Sequence, residues 1–118
     1  MKMNIRTKHK LVSKNWGVEI WFENNKLYCG KLIYCNENWN SKERFHYHKL
    51  KDETFFIVDG ILELDIKMED QYKKYLLTPG NSFRIYPGIP HRFKDHVGSC
   101  RFIEVSTHHD DKDVFRCF

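Results

Sequence analysis

The sequence predicts an all-β fold in a single domain, and three observations carry that prediction. Nine short runs are rich in aromatic and β-branched residues. Turn chemistry separates several of them at close spacing, and no segment shows a helical period with caps. The chain has 118 residues, enough for one hydrophobic core and too few for two. Strands this close together favour an antiparallel sandwich or barrel.

In chain order the expected strands are 18–23, 26–35, 44–48, 53–58, 61–68, 72–77, 82–86, 91–95 and 100–106. Asn24-Asn25, Asp59-Gly60, Pro79-Gly80 and Pro87-Gly88 supply turns. Asp59-Gly60 joins two apolar runs with two residues, which predicts a hairpin. One domain is expected to span 1–118, with residues 1–14 and 107–118 as arms outside its sandwich or barrel. In the run ETFFIV, Phe55 and Ile57 share one face while Phe56 and Val58 share the other. A strand apolar on both faces is covered on both, which predicts a homodimer.

Composition narrows the class. Charged residues make up 31% and aromatics 15%, the balance of a compact soluble protein. The basic start MKMNIRTKHKLVSK is followed by no apolar run, so neither a signal peptide nor a membrane span is expected, and a cytoplasmic location is. Cys29, Cys35, Cys100 and Cys117 lack CxxC spacing, which favours reduced, buried thiols. The net charge of +4 allows an anionic small-molecule partner and argues only weakly for nucleic acid.

The stretch RFHYHKLKDETFFIVDG, residues 44–60, carries the chemistry. Positions two apart on a strand point to one face, so His46 and His48 aim together. Two imidazoles side by side repel when charged and waste core volume when neutral, and a shared cation resolves both. Glu53 lies five residues after His48, an odd offset that a turn at 49–52 would reset. His91, in PGIPHRF, follows a tight approach shaped by Gly88 and Pro90 and offers a fourth ligand. Three imidazoles and a carboxylate suit one divalent transition metal (Mn, Fe, Zn or Ni), with one or two positions left for substrate.

This spacing resembles the cupin family. His46-Tyr47-His48, four residues, Glu53, six residues and Gly60 follow its first motif, and Gly80, Gly88 and His91 follow its second. Two positions depart: Gly30 stands further from His46 than the motif has it, and Tyr86 stands where proline is usual. The resemblance implies a jelly-roll β-barrel with His46, His48, Glu53 and His91 as metal ligands. It does not fix the reaction, because cupins include isomerases, dioxygenases, decarboxylases, lyases and binding proteins.

Two further stretches are similar to sugar-metabolising cupins. NWGVEIWFEN with YCGKL is similar to the entry strands of type II mannose-6-phosphate isomerase domains, and EVSTHHDDKDVF to the closing strand and tail of D-lyxose isomerases. They imply a sugar substrate and aldose–ketose isomerisation through an enediolate that a metal stabilises. A metal-dependent dioxygenase and a non-catalytic sugar-binding module are the alternatives. Glu104, alternating with Phe102 and Ser106, is the candidate base, and Tyr34 and Tyr86 are candidate proton donors or hydroxyl contacts. Arg44 shares the His46 face by alternation and is a candidate substrate contact. Lys49 and Lys51 read as solvated loop residues, with contact to a substrate phosphate as the alternative. Trp16, Trp21 and Trp39 read as packing residues, with sugar stacking as the alternative.

Overall fold

The computed structural model describes residues 3–36, 44–93 and 98–117. Among them it contains eleven strands: β1 (Lys10–Lys14), β2 (Gly17–Asn24), β3 (Cys29–Cys35), β4 (Phe45–Tyr47), β5 (Glu53–Asp59), β6 (Leu62–Met68), β7 (Gln71–Leu77), β8 (Ser82–Ile85), β9 (His91–Phe93), β10 (Cys100–Ser106) and β11 (Phe115–Cys117). They form a six-stranded sheet, β1-β2-β3-β10-β5-β8, facing a five-stranded sheet, β11-β4-β9-β6-β7. Every pairing is antiparallel, in a jelly-roll sandwich. The described residues contain no helix long and apolar enough to cross a membrane. Trp39 and the last two residues of the strand expected at 91–95 lie outside the described residues.

Inward faces follow the period of two. Phe55 and Ile57 of β5, Phe102 of β10, Ile33 of β3, and Leu62 and Leu64 of β6 are all at most 1% exposed. Phe55, Phe93 and Phe102 pack edge to face or tilted, with centroids 5.2–5.5 Å apart, and so tie β9 of one sheet to β5 and β10 of the other. Burying a side chain of this size contributes roughly 1.5–3 kcal/mol. On four strands the inward face changes from apolar to ionisable two residues beyond the core: Glu53 beside Phe55, Glu104 beside Phe102, Lys31 beside Ile33, His91 beside Phe93. One half of the interior is therefore a greasy plug and the other a polar cavity.

The structure corrects two expectations. The segments expected as arms contribute strands: β1 pairs with β2, and β11 pairs with β4. Asp59-Gly60 closes no hairpin, because β5 and β6 belong to different sheets and the turn carries the chain between them. Gly60 is required there: its φ is +79°, and a Cβ would lie 2.3 Å from the Ser99 carbonyl oxygen. The outward residues Phe56 and Val58 are 46% and 39% exposed in the single chain. Cys29, Cys35, Cys100 and Cys117 are free thiols, the first three buried.

Candidate metal centre

β4 and β9 are neighbours, and their register sets His46 directly across from His91. His48, two residues on, reaches the same face just past the end of β4. The three side chains each offer a nitrogen, and these atoms lie within 4.8 Å of one another. Glu53 comes from the opposite sheet, because residues 49–52 turn and cross between β4 and β5. Its Oε2 lies 3.1 Å from His48 Nε2, and its Oε1 lies 3.9 Å from His91 Nε2.

Hydrogen bonds on the far side of two rings fix what faces Glu53. His48 Nδ1 is 2.7 Å from the Asp113 carbonyl oxygen, and His91 Nδ1 is 2.9 Å from that of Ile89. A carbonyl only accepts, so each Nδ1 carries the proton and donates it. In a neutral ring Nε2 is then a bare lone pair, and both lone pairs point toward a carboxylate. Glu53 Oε2 is buried and has no hydrogen-bond partner of good geometry. Burial, reinforced by His91 and His48, holds the His46 imidazole down at about 2, and burial also lowers His91, so these rings are neutral at ordinary pH. Burial pushes the Glu53 carboxyl up, but its contact with His48 and the Lys51 ammonium outweigh it and keep it below the usual range, hence ionised. Neutral nitrogens, an anionic oxygen and an unsatisfied buried acceptor form a donor set that fits a divalent cation.

The C-terminal segment braces this arrangement. Besides the carbonyl that orients His48, Asp113 offers a carboxylate that accepts from the backbone N–H groups of Lys49 (2.8 Å), Leu50 (3.1 Å) and Lys51 (3.0 Å). Burial would raise its pKa, but these three donors win and hold Asp113 below the ordinary value. On the other flank Gly88 N–H donates to the His48 carbonyl at 2.6 Å, which ties the turn before β9 to β4.

Across the cavity stands a second charged group. Lys51 Nζ lies 3.1 Å from Glu104 Oε2, 3.8 Å from Glu53 Oε2 and 3.0 Å from His109 Nδ1. Burial disfavours the Lys51 charge, yet Glu104 and Glu53 outweigh it and raise the ammonium above its usual value. Burial, then the charge of Glu53, raises the Glu104 carboxyl. His109 lies edge-on to Trp21, and its Nε2 donates to Asp111 at 2.9 Å. Burial, then Lys51 and Lys31, lower His109 to about 4, so it too is neutral. The whole cavity is about 450 Å³, within the range of small-molecule sites, roughly 300–1,000 Å³.

The structure brings His46, His48, Glu53, His91, Lys51 and Glu104 together around this cavity. It places the other candidates elsewhere. Tyr34 alternates outward on β3 and is 39% exposed. Tyr86, 57% exposed, lies beneath the Arg84 guanidinium on the outside. Arg44 precedes β4, so strand alternation does not reach it, and it is exposed. Lys49 is exposed with its Nζ over the Phe115 ring, whereas Lys51 is fully interior and not a solvated loop residue. Trp16 and Trp21 line the cavity. Lys31 and His109 escaped the sequence reading. Alternation with Ile33 signals the first, and no local pattern signals the second.

A cupin domain model matches residues 39–106. That is more than half of the chain, which therefore belongs to the cupin family. No curated protein sequence matches it. Among solved structures it is similar to the capsular polysaccharide assembling protein CapF from Staphylococcus aureus, with a TM-score of 0.79 and 14% identity over 94% of this chain and 34% of that one. Oxalate decarboxylase from Bacillus subtilis gives 0.77 and 13%, covering 92% and 30%. KdgF from Halomonas sp. gives 0.71 and 15%, covering 88% and 90%. At these identities the likeness is one of fold, and the chain spans about a third of the length of the first two.

Replacing His48 or His91 with alanine is expected to remove most bound divalent metal while leaving a folded barrel. Elemental analysis with circular dichroism checks this, and unchanged metal content in both variants would contradict it.

Proposed function

We propose that this cupin is a metal-dependent enzyme that moves a proton between neighbouring carbons of a sugar, interconverting an aldose and a ketose. The observation that carries the reading is the facing of two groups across one cavity: a three-histidine, one-carboxylate donor set and the buried Glu104. His46, His48, Glu53 and His91 would hold the metal. When bound, a divalent cation supplies electrophilic stabilisation of the oxygens as the carbon-bound proton leaves.

The remaining chemistry falls to the chain. Glu104, 4% exposed and with its affinity for a proton raised, takes the proton from C2 and returns it to C1, while the hydroxyl proton passes from O2 to O1. A carboxyl tuned upward by burial suits both halves of that transfer. Lys51 fixes the Glu104 carboxylate through the 3.1 Å contact and stays protonated, which excludes it as an imine-forming nucleophile. Trp16 and Phe93 give the cavity an apolar floor that limits water around the reacting carbons. A fold shared with a capsular polysaccharide assembling protein agrees with a carbohydrate substrate.

We also propose that the protein works as a homodimer. An apolar row crosses the outer face of the six-stranded sheet in register, Leu11 to Ile20, Leu32, Ile103 and Phe56. Leu11 and Phe56 are 65% and 46% exposed, and a second copy would cover the row face to face.

Glu104→Gln keeps size and much of the hydrogen bonding while removing the base. With the best substrate from a screen of aldoses and their phosphates, turnover is expected to fall about 10²–10⁴-fold with metal content unchanged. Turnover at the parent rate would reject Glu104 as the base, and oxygen consumption by the parent protein would point to oxidation instead. Light scattering at micromolar concentration is expected to show a dimer that Phe56→Glu dissociates, and a monomeric parent protein would reject the interface.

A further inference from the structure

On the six-stranded wall of the cavity, Lys31 is 3% exposed, and among the described residues it has carboxylates at ion-pair distance but none at hydrogen-bonding distance. Its nearest carboxylate oxygens are Glu19 Oε1 at 3.7 Å and Glu104 Oε2 at 3.9 Å, both beyond hydrogen-bonding distance. Its hydrogen-bond partner is His109 Nδ1 at 3.2 Å, and that nitrogen also takes Lys51 Nζ at 3.0 Å. His109 Nε2 is committed to Asp111, so Nδ1 has one lone pair, and two buried ammonium groups converge on it. The face of Trp21, 4.1 Å from Lys31 Nζ, softens the burial without adding an anion. A buried cation without a hydrogen-bonded anion is costly, and this one lines an accessible cavity.

The rim continues the pattern. Lys10 and Lys14 on β1 and Arg116 on β11 stand on the edge strands of the two sheets, where the cavity opens. Lys10 sits 4.2 Å above the Trp21 ring, which places cations near both Trp21 and the cavity mouth. Asp111 and Glu19 also line this route, Asp111 bonded to His109 and Glu19 to Trp21, so Lys10, Lys14 and Arg116 supply the mouth's positive charge beside them.

Resting on the isomerase reading for the rest of the substrate, we propose that the substrate carries an acidic group, a carboxylate or a phosphate, and that Lys31 binds it. The acidic group supplies the charge-assisted hydrogen bonds that Glu19 and Glu104 are too distant to give. Lys51 remains paired to Glu104, so binding the anion and positioning the base fall to separate lysines. The substrate is then an acidic or phosphorylated sugar and not a neutral one.

Calorimetric titration of the Mn(II)-saturated protein tests this without any need for turnover. D-glucuronate is compared with its neutral isostere D-glucuronamide, and D-glucose 6-phosphate with D-glucose. At least one acid is expected to bind about tenfold to a hundredfold tighter than its neutral counterpart, and which one does so separates carboxylate from phosphate. Lys31→Met, which fills the same space without charge, is expected to abolish the preference while keeping metal content. Lys31→Gln serves if the methionine variant does not fold. Equal binding of acids and neutral partners by the parent protein, or a preference that survives in the folded variant, would overturn the proposal. Failure of every sugar to exchange carbon-bound hydrogen with solvent would reject the isomerase reading and leave this comparison of affinities standing.

Discussion

Two imidazole Nε2 atoms, each on a ring whose Nδ1 is already committed to a backbone carbonyl, face one buried carboxylate, and most of the polar half of the interior is arranged around that confrontation. Backbone carbonyls accept hydrogen bonds from Nδ1 of His48 and His91, which turns both Nε2 atoms toward Glu53. Lone pairs against an anion repel, and in a site this buried the repulsion is screened little. A protonated His48 could answer one of the two contacts, but His91 and His46 are pushed toward neutrality by burial and by each other. A divalent cation answers the whole set at once. The donor set is thus poorly stable as a purely structural feature and well matched to a ligand.

The fold makes this possible by dividing its interior. Phe55, Phe93 and Phe102 join the sheets from within, so the polar half need not supply the stability it would cost. Four strands change from apolar to ionisable one inward step past the apolar core, which delivers Glu53, His91, Glu104 and Lys31 to one cavity. The C-terminal segment then locks the result: Asp113 holds three consecutive backbone N–H groups of the 49–51 turn and, through its carbonyl, the His48 ring. Through that turn the same residue also sets where Lys51 can stand.

Much of the fold and of the candidate metal site was legible because both rest on local periodicity. His46 and His48 share a face by alternation, and the polar run at 49–52 marked the turn that lets Glu53 converge with them. What alternation could not show is which sheet a strand joins. Asp59-Gly60 has hairpin chemistry, yet the turn crosses between sheets, and only the tertiary contact of Gly60 with Ser99 reveals why a glycine stands there. The edge strands β1 and β11 are short and polar, so their sequences resemble tails until their partners are known. Tyr34 and Arg44 were misplaced for related reasons, one by an outward phase and the other by a strand that starts after it. His109 reaches the cavity from a loop through its contacts with Trp21, Lys31, Lys51 and Asp111, none of which is near it in sequence except Asp111.

Anomalous scattering at the manganese edge, from crystals grown with Mn(II), puts the central claim to its most direct test. The ion is expected among the nitrogens of His46, His48 and His91, with Glu53 Oε2 as an oxygen donor and His48 Nδ1 still donating to the Asp113 carbonyl. A map without a peak there, with His48 protonated and closed onto Glu53 as a direct hydrogen-bonded pair, would contradict it.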